Sequence, residues 1–325
     1  MRRIAILLTG TCLFLLPAAA ATSDETLVPT DYEAGHFIAV PKTSRGVPLR
    51  LMVDTGGGGG NGMFLLTADA VRRAGLVPRS CADGAPAVSV VPASMFDVTS
   101  GLPVSMHAGA CHAPAMVLSD KLGLAGDGLL GAGYLSTFEA WHFDYPAHRL
   151  SVEPPQWMPP EVPFIPLGFP RDAAGKRNAP YPSVSMTVDA QQIAMLLDTG
   201  ATAMPTLAGE GVAHTPQVHG EGTTSYITTS IMNEWHRRHP DWRIVPDGDG
   251  LFHTRLIEVP KVTFGPYTVG PVWFTERPDR NFGTSGMGEW MDREIHGAIG
   301  ANILSHFDMV VDYGRSRLVL LHGPV

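Results

Sequence analysis

Cysteine, charge and long apolar runs are all scarce in this chain of 325 residues. There are three cysteines, so any covalent framework is minimal. Only 17% of the residues are charged while 44% are hydrophobic, which excludes a chain that is disordered as a whole. Basic residues number 23 against 31 acidic ones, a balance that argues against nucleic acid and anionic membranes as partners. No H-E-x-x-H occurs, and His214, His219, His236 and His239 lack carboxylate or cysteine partners at ligand spacing, so no metal is expected. After the first 16 residues no apolar stretch is long enough to span a bilayer as a helix. Glycine (36) and proline (28), in contrast, are plentiful. That composition suits many short strands joined by turns and disfavours long helices.

The first residues have the order of a secretory leader: Arg2 and Arg3, an apolar run over 4–16, then Pro17 and four alanines. Cleavage near Ala20 or Ala21 is expected, giving an exported protein that is periplasmic or secreted. Cys12 lies in the apolar run without a convincing lipobox, so no lipid anchor is expected. Losing Arg2 and Arg3 leaves 21 basic and 31 acidic residues, a formal charge of −10. Cys81 and Cys111 then remain. An even count in an exported chain suggests a disulfide, the alternative being two buried thiols.

Residues 51–62 read LMVDTGGGGGNG. Gly57, Gly59 and Gly62 satisfy G-x-G-x-x-G after an apparent strand, which could make a nucleotide loop. Alternatively Asp54 is the working residue and the glycines let the backbone turn beside it. An internal repeat decides between them. Residues 195–200 read MLLDTG, and GLLGAGYLSTF (128–138) recurs as GAIGANILSHF (297–307). FDYPAHRLSV (143–152) recurs as VDYGRSRLVL (311–320) with a one-residue slip. The second copy keeps Asp-Thr-Gly and drops the glycine run, so the repeated aspartates, Asp54 and Asp198, carry the chemistry. A dinucleotide fold would also need helices and strands in alternation, which this chain lacks.

One unit therefore occurs twice: strand, turn, strand, DTG, a variable middle, G-apolar-apolar-G, and a strand ending in DY. The second copy is longer, mainly over 201–225. Residues 152–182 are proline-rich and read as a linker with one or two edge strands. Helices are expected over 67–75, opened by a threonine cap, and over 228–239. Expected boundaries are 1–21 for the signal, 30–152 for a first lobe, 153–182 for the linker and 183–325 for a second lobe. Asp144 and Asp312, each before a tyrosine and five residues before an arginine (Arg149, Arg317), read as hairpin turns with local ion pairs.

Two copies of one unit can pack about a pseudo-two-fold axis, where equivalent loops meet. If the DTG loops are those that meet, two carboxyls face each other and share a proton, one acting as acid while the other acts as base. A water between them could then attack an amide carbonyl.

With two DTG motifs, each followed by Gly128-Leu129-Leu130-Gly131 or Gly297-Ala298-Ile299-Gly300 at a lobe's distance, the chain resembles the bilobal aspartic peptidases, the pepsin-like and retropepsin-like group, in the form found in bacterial exported proteins. The resemblance spans roughly 35–322. It implies an all-β, two-lobed pepsin-like acid protease fold with internal pseudo-two-fold duplication and a few short helices. It implies an aspartic endopeptidase with Asp54 and Asp198 catalytic, Thr55 and Thr199 bracing the loops, and Gly56 and Gly200 completing them. The implied partner is an extended polypeptide substrate; no metal or organic cofactor is needed, and a monomer is expected. A first-lobe flap is implied near 87–104, where Met95 and Phe96 would touch substrate. Three features depart from the pattern: Gly57 and Ala201 stand where many pepsin-like members carry Ser or Thr, the flap region has no tyrosine, and five glycines (56–60) follow Thr55. A catalytically inactive peptide-binding or structural envelope protein on the same fold is the alternative reading.

Overall fold

The structure is a computed structural model that describes residues 25–58, 62–83, 87–103, 105, 110–118 and 126–324. The expected leader lies outside the described residues, as do Gly59 and Gly60. No helix among the described residues is long and apolar enough to cross a membrane.

The repeat in sequence is a repeat in topology. In the first unit the strand Leu51–Asp54 pairs antiparallel with His36–Ala39 on one side and parallel with Gly128–Gly131 on the other. Gly128–Gly131 runs antiparallel to Phe64–Thr67, which pairs parallel with Ala115–Leu118. In the second unit Gln191–Leu197 pairs antiparallel with Ser183–Val188 and parallel with Gly297–Ile299. Gly297–Ile299 runs antiparallel to Ser225–Thr228, which pairs parallel with Val272–Arg277. The order and the directions are the same. Each unit also runs from the Phe64–Thr67 or Ser225–Thr228 strand straight into a helix, Ala68–Arg73 or Thr229–Arg238. Thr67 caps the first, its hydroxyl accepting from Ala70 N at 3.1 Å. The expected two-lobed, mostly-β architecture with internal duplication and a few short helices is what forms.

A third sheet joins the lobes. Its two central strands, Ala140–Asp144 and Asp308–Asp312, are the equivalent DY strands of the two units. They pair antiparallel with His142 opposite Val310, Ala140 opposite Asp312 and Asp144 opposite Asp308, a register symmetric about its centre. Trp141, Phe143, Met309 and Val311 are buried in the main core beneath it. From the proline-rich segment Phe164–Pro166 adds an edge strand. Asp144 pairs with Arg149 at 3.6 Å as expected, whereas Asp312 pairs with Arg315 at 3.6 Å rather than Arg317, which sits directly opposite it in the ladder. His142 is buried in this sheet between Asp308 and Glu153. Burial opposes its charge, but the hydrogen bonds to the two carboxylates win and push its pKa up to about 10.

Cys81 and Cys111 are joined, with their Cα atoms 5.8 Å apart. The bridge ties the strand Arg79–Cys81 to the segment before Ala115–Leu118. It closes a loop 30 residues long, so replacing both cysteines by serine should lower stability by about 3–4 kcal/mol in the chain-entropy account. Urea unfolding of the oxidised protein beside the double variant reads that difference.

The described part of the segment expected as a flap packs on the first lobe. Val88–Val91 lies in the first lobe's sheet, and Ala93–Met95 forms a short turn. Met95 O accepts from Ser44 N at 2.8 Å, and Phe96 bridges to Thr43. The Phe96 ring sits 5.2 Å from Phe64, and both Met95 and Phe96 pack on the main core. Successive residues of a strand face opposite sides. Phe64 therefore points away from its neighbour Leu65, which clusters with Met52 and Leu129 on the face that carries Asp54.

Candidate active site

Strand alternation sets the first aspartate. Leu51 and Val53 enter the main core, while Met52 belongs to the opposite face. Asp54, next in the alternation after Met52, follows it to that face and stands where the lobes meet. In the second lobe Met195 and Leu197 enter the core, Leu196 faces the other way, and Asp198 follows Leu196.

The two Asp-Thr-Gly loops clasp each other reciprocally. Thr55 N donates to Thr199 Oγ1 at 3.1 Å, and Thr199 N donates to Thr55 Oγ1 at 3.1 Å. Each hydroxyl then donates across the interface, Thr55 to Leu197 O at 2.7 Å and Thr199 to Val53 O at 2.8 Å. All four groups are buried. Replacing Thr199 by valine keeps the shape but orphans the Thr55 N–H and removes a donor from Val53 O. Two such losses should cost about 2–4 kcal/mol. Thermal unfolding, with Ser as the rescuing substitution, checks it.

The glycines of the motif are required by proximity. A Cβ on Gly56 would overlap the Asp198 carboxyl carbon and lie 2.6 Å from its Oδ1. A Cβ on Gly200 would overlap the Asp54 carboxyl carbon and lie 2.8 Å from its oxygens. Each glycine thus packs against the other lobe's aspartate. The departure at Gly57 has a local cause: a side chain there would overlap Asp54 Oδ2. Ala201, the second-lobe counterpart, has a Cβ that Gly300 must clear. The glycine-apolar-apolar-glycine strands run directly behind the loops. A Cβ on Gly131 would overlap Gly58 O, and Ala132 N donates to Gly57 O at 2.7 Å. A Cβ on Gly300 would overlap Thr224 O.

Asp54 and Asp198 are each about nine-tenths buried and hydrogen-bond to one another. Burial pushes both carboxyls up from the ordinary value. On Asp54 the rise is opposed by Gly56 N and Gly57 N, each donating to Oδ1 at 2.8 Å. Among the described residues Asp198 receives one backbone donor, Gly200 N at 3.2 Å, and it feels the Asp54 charge as well, so burial holds it well above the ordinary range. The pair therefore shares a proton, and the two short N–H contacts favour the charge on Asp54.

Several residues around the pair gave no signal in the sequence. Tyr226, at the second-lobe position equivalent to Leu65, accepts from Thr202 N at 2.8 Å and donates to Thr202 O. The Arg277 guanidinium lies 4.4 Å from the Tyr226 ring centre and forms a buried ion pair with Asp249 at 2.8 Å. His36, on the first lobe, lies 3.2 Å from Thr202 Oγ1 and 3.4 Å from Ala201 O. Each is polar, at least partly buried and defined by a partner outside its own element, so neither spacing nor repetition marks it. The structure brings Asp54, Thr55, Gly56, Asp198, Thr199 and Gly200 together at one point; Met95 and Phe96 pack on the main core, and the Cys81–Cys111 bridge ties a first-lobe strand to the turn at Ala110–His112.

Among solved structures, the chain is similar to the crystal structure of an aspartic proteinase from Irpex lacteus, at 13% identity and a TM-score of 0.43, over 92% of this chain and 98% of that one. No protein-family model matches the chain, and no curated protein does. A likeness of that degree carries no argument about chemistry; the paired loops do.

Proposed function

We propose that this chain is an aspartic endopeptidase that hydrolyses peptide bonds with a water activated between Asp54 and Asp198. The observation that carries the reading is the buried, mutually hydrogen-bonded carboxyl pair held by the reciprocal threonine brace. Asp54, ionised and supported by two backbone N–H groups, takes a proton from the water. The oxygen so freed bonds to the substrate carbonyl carbon. Asp198 gives its proton to the carbonyl oxygen, forming a neutral tetrahedral diol. Asp54 then returns its proton to the leaving nitrogen as the C–N bond breaks, and Asp198 recovers a proton from a diol hydroxyl as the new carboxyl forms. Two carboxyls supply both acid and base, so the step uses only groups of this chain.

The substrate is an unfolded or extended polypeptide, because the carboxyls lie in the join between lobes and an extended chain presents its amide there. An exported protein, periplasmic or secreted, is the setting that the Cys81–Cys111 bridge supports. The test is digestion of a denatured, unstructured protein by the chain without residues 1–21, from roughly pH 3 to 8. Peptide products are expected within that range. Intact substrate at every pH, with peptide still bound, would instead support the non-catalytic binding protein.

A further inference from the structure

The second lobe's extra length is a hairpin that crosses to the first lobe. Gln217–Val218 pairs with Glu221–Thr223 around a turn at His219 and Gly220, both with positive φ. Its base is docked: Thr223 N donates to Ala34 O at 3.2 Å, and Thr223 packs tightly on Gly35. Its tip thereby forms one wall of a cavity of about 570 Å³. The opposite wall is the first lobe's cleft face, with Ile38 and Met52 as an apolar floor and Glu33 and Arg50 beside it. Val218, His219 and Glu221 come from the hairpin.

A residue of the cavity lining stands beside each catalytic loop. Met52 is two residues before Asp54 on the same face, about 7 Å along the strand. His36, also in the lining, touches Ala201 and Thr202 just after Asp198. A substrate chain seated on the dyad would therefore send a nearby side chain into this space. The charges there are unequal. Arg50 is held by Asp31 at 2.7 Å and Glu33 at 2.6 Å, and Glu221 adds a third carboxylate from the hairpin. Within the lining, two carboxylates, Glu33 and Glu221, face one guanidinium that Asp31 also holds from outside, which leaves a negative surplus beside an apolar floor. An aliphatic stem ending in a cation matches both features.

We infer that the hairpin and the first-lobe strands form a specificity subsite for a lysine or arginine side chain of the substrate, with Ile38 and Met52 taking its stem and Glu221 with Glu33 taking its head. The assignment rests on the proposed peptidase function for its biological use, but not for its test. Asp198→Asn protein is mixed with two fluorescent extended peptides that differ only in carrying several arginines or several glutamates. Fluorescence anisotropy at low salt should show the arginine peptide binding more tightly, and adding Glu221→Lys should reduce its advantage about fivefold, as one exposed ion pair would. In parallel, wild-type protein is given a peptide library and the cleaved sites are read by mass spectrometry. One fixed position near the cut should be enriched in Lys or Arg, and Glu221→Lys should move the enrichment toward Asp or Glu. Equal binding of the two peptides, or an enrichment that Glu221→Lys leaves unchanged, overturns the subsite. Charge-selective binding without any cleavage leaves the subsite standing and overturns the peptidase reading instead.

Discussion

Replacing Asp198 by asparagine is expected to lower the rate of peptide-bond cleavage by about 10³-fold, the scale on which a positioned proton donor acts. Asparagine keeps the shape of the side chain and can still hydrogen-bond to Asp54, so the brace of Thr55 and Thr199 is not disturbed. What is lost is the proton delivered to the carbonyl oxygen. The same substitution has a second signature with a definite sign. Asp198 is held well above the ordinary carboxyl value by burial, by the Asp54 charge and by the hydrogen bond between them. A carboxyl whose folded-state value is raised contributes stability that is present at low pH and is lost as pH rises through that value. Wild type should therefore lose thermal stability above the ordinary carboxyl range, and Asp198→Asn should lose less. The two proteins should unfold at similar temperatures near pH 3.5, and the variant at the higher temperature near pH 8. A variant less stable at both pH values would mean that the pair is an ordinary structural contact.

The second large effect is expected at a residue that has no functional group. Gly200→Ala places a methyl group against the Asp54 carboxyl, and Gly56→Ala places one against Asp198. Neither carboxyl can retreat, because Asp54 is fixed by Gly56 N and Gly57 N, and both are buried. The carboxyls must separate or rotate, and a displacement of about 1 Å at a reacting group costs on the order of 10²-fold in rate. Each alanine variant should fold, with reduced stability, and should lose activity out of proportion to that reduction. Gly211→Ala is the control, since a Cβ there meets nothing within 4 Å. Its activity should match wild type. Equal losses in all three variants would show that glycine matters here for flexibility alone.

The catalytic core was legible because duplication makes its residues visible. Asp54-Thr55-Gly56 and Asp198-Thr199-Gly200 recur as letters, and so do the glycine strands behind them. The reason both triplets are retained is physical: each residue of one makes the reciprocal contact of the other, so neither copy can drift alone. The first helix was legible from the threonine that caps it and the second from its equivalent place in the repeat. What the repeat does not contain stayed hidden. The hairpin at Gln217–Val218 and Glu221–Thr223 is too short to have a period, and its position depends on Thr223 meeting Ala34, 189 residues earlier. Met95 and Phe96 fall in the stretch where a first-lobe flap was expected, but a contact between Phe96 and Phe64 turns that stretch onto the core. Gly57 read as a departure from the family's Ser or Thr, whereas the Asp54 oxygen beside it leaves no room for a side chain. The Arg277–Asp249 pair is buried and 28 residues apart, with nothing in its surroundings to announce it.

The most direct test of the shared-proton dyad is the pH profile of kcat/KM for cleavage of one unstructured peptide. The profile should be bell-shaped, with an acid limb where Asp54 must ionise and an alkaline limb where Asp198 must keep its proton. Asp54→Asn and Asp198→Asn should each remove the activity that the bell describes. A profile with a single limb, or cleavage that survives either substitution, would contradict the account.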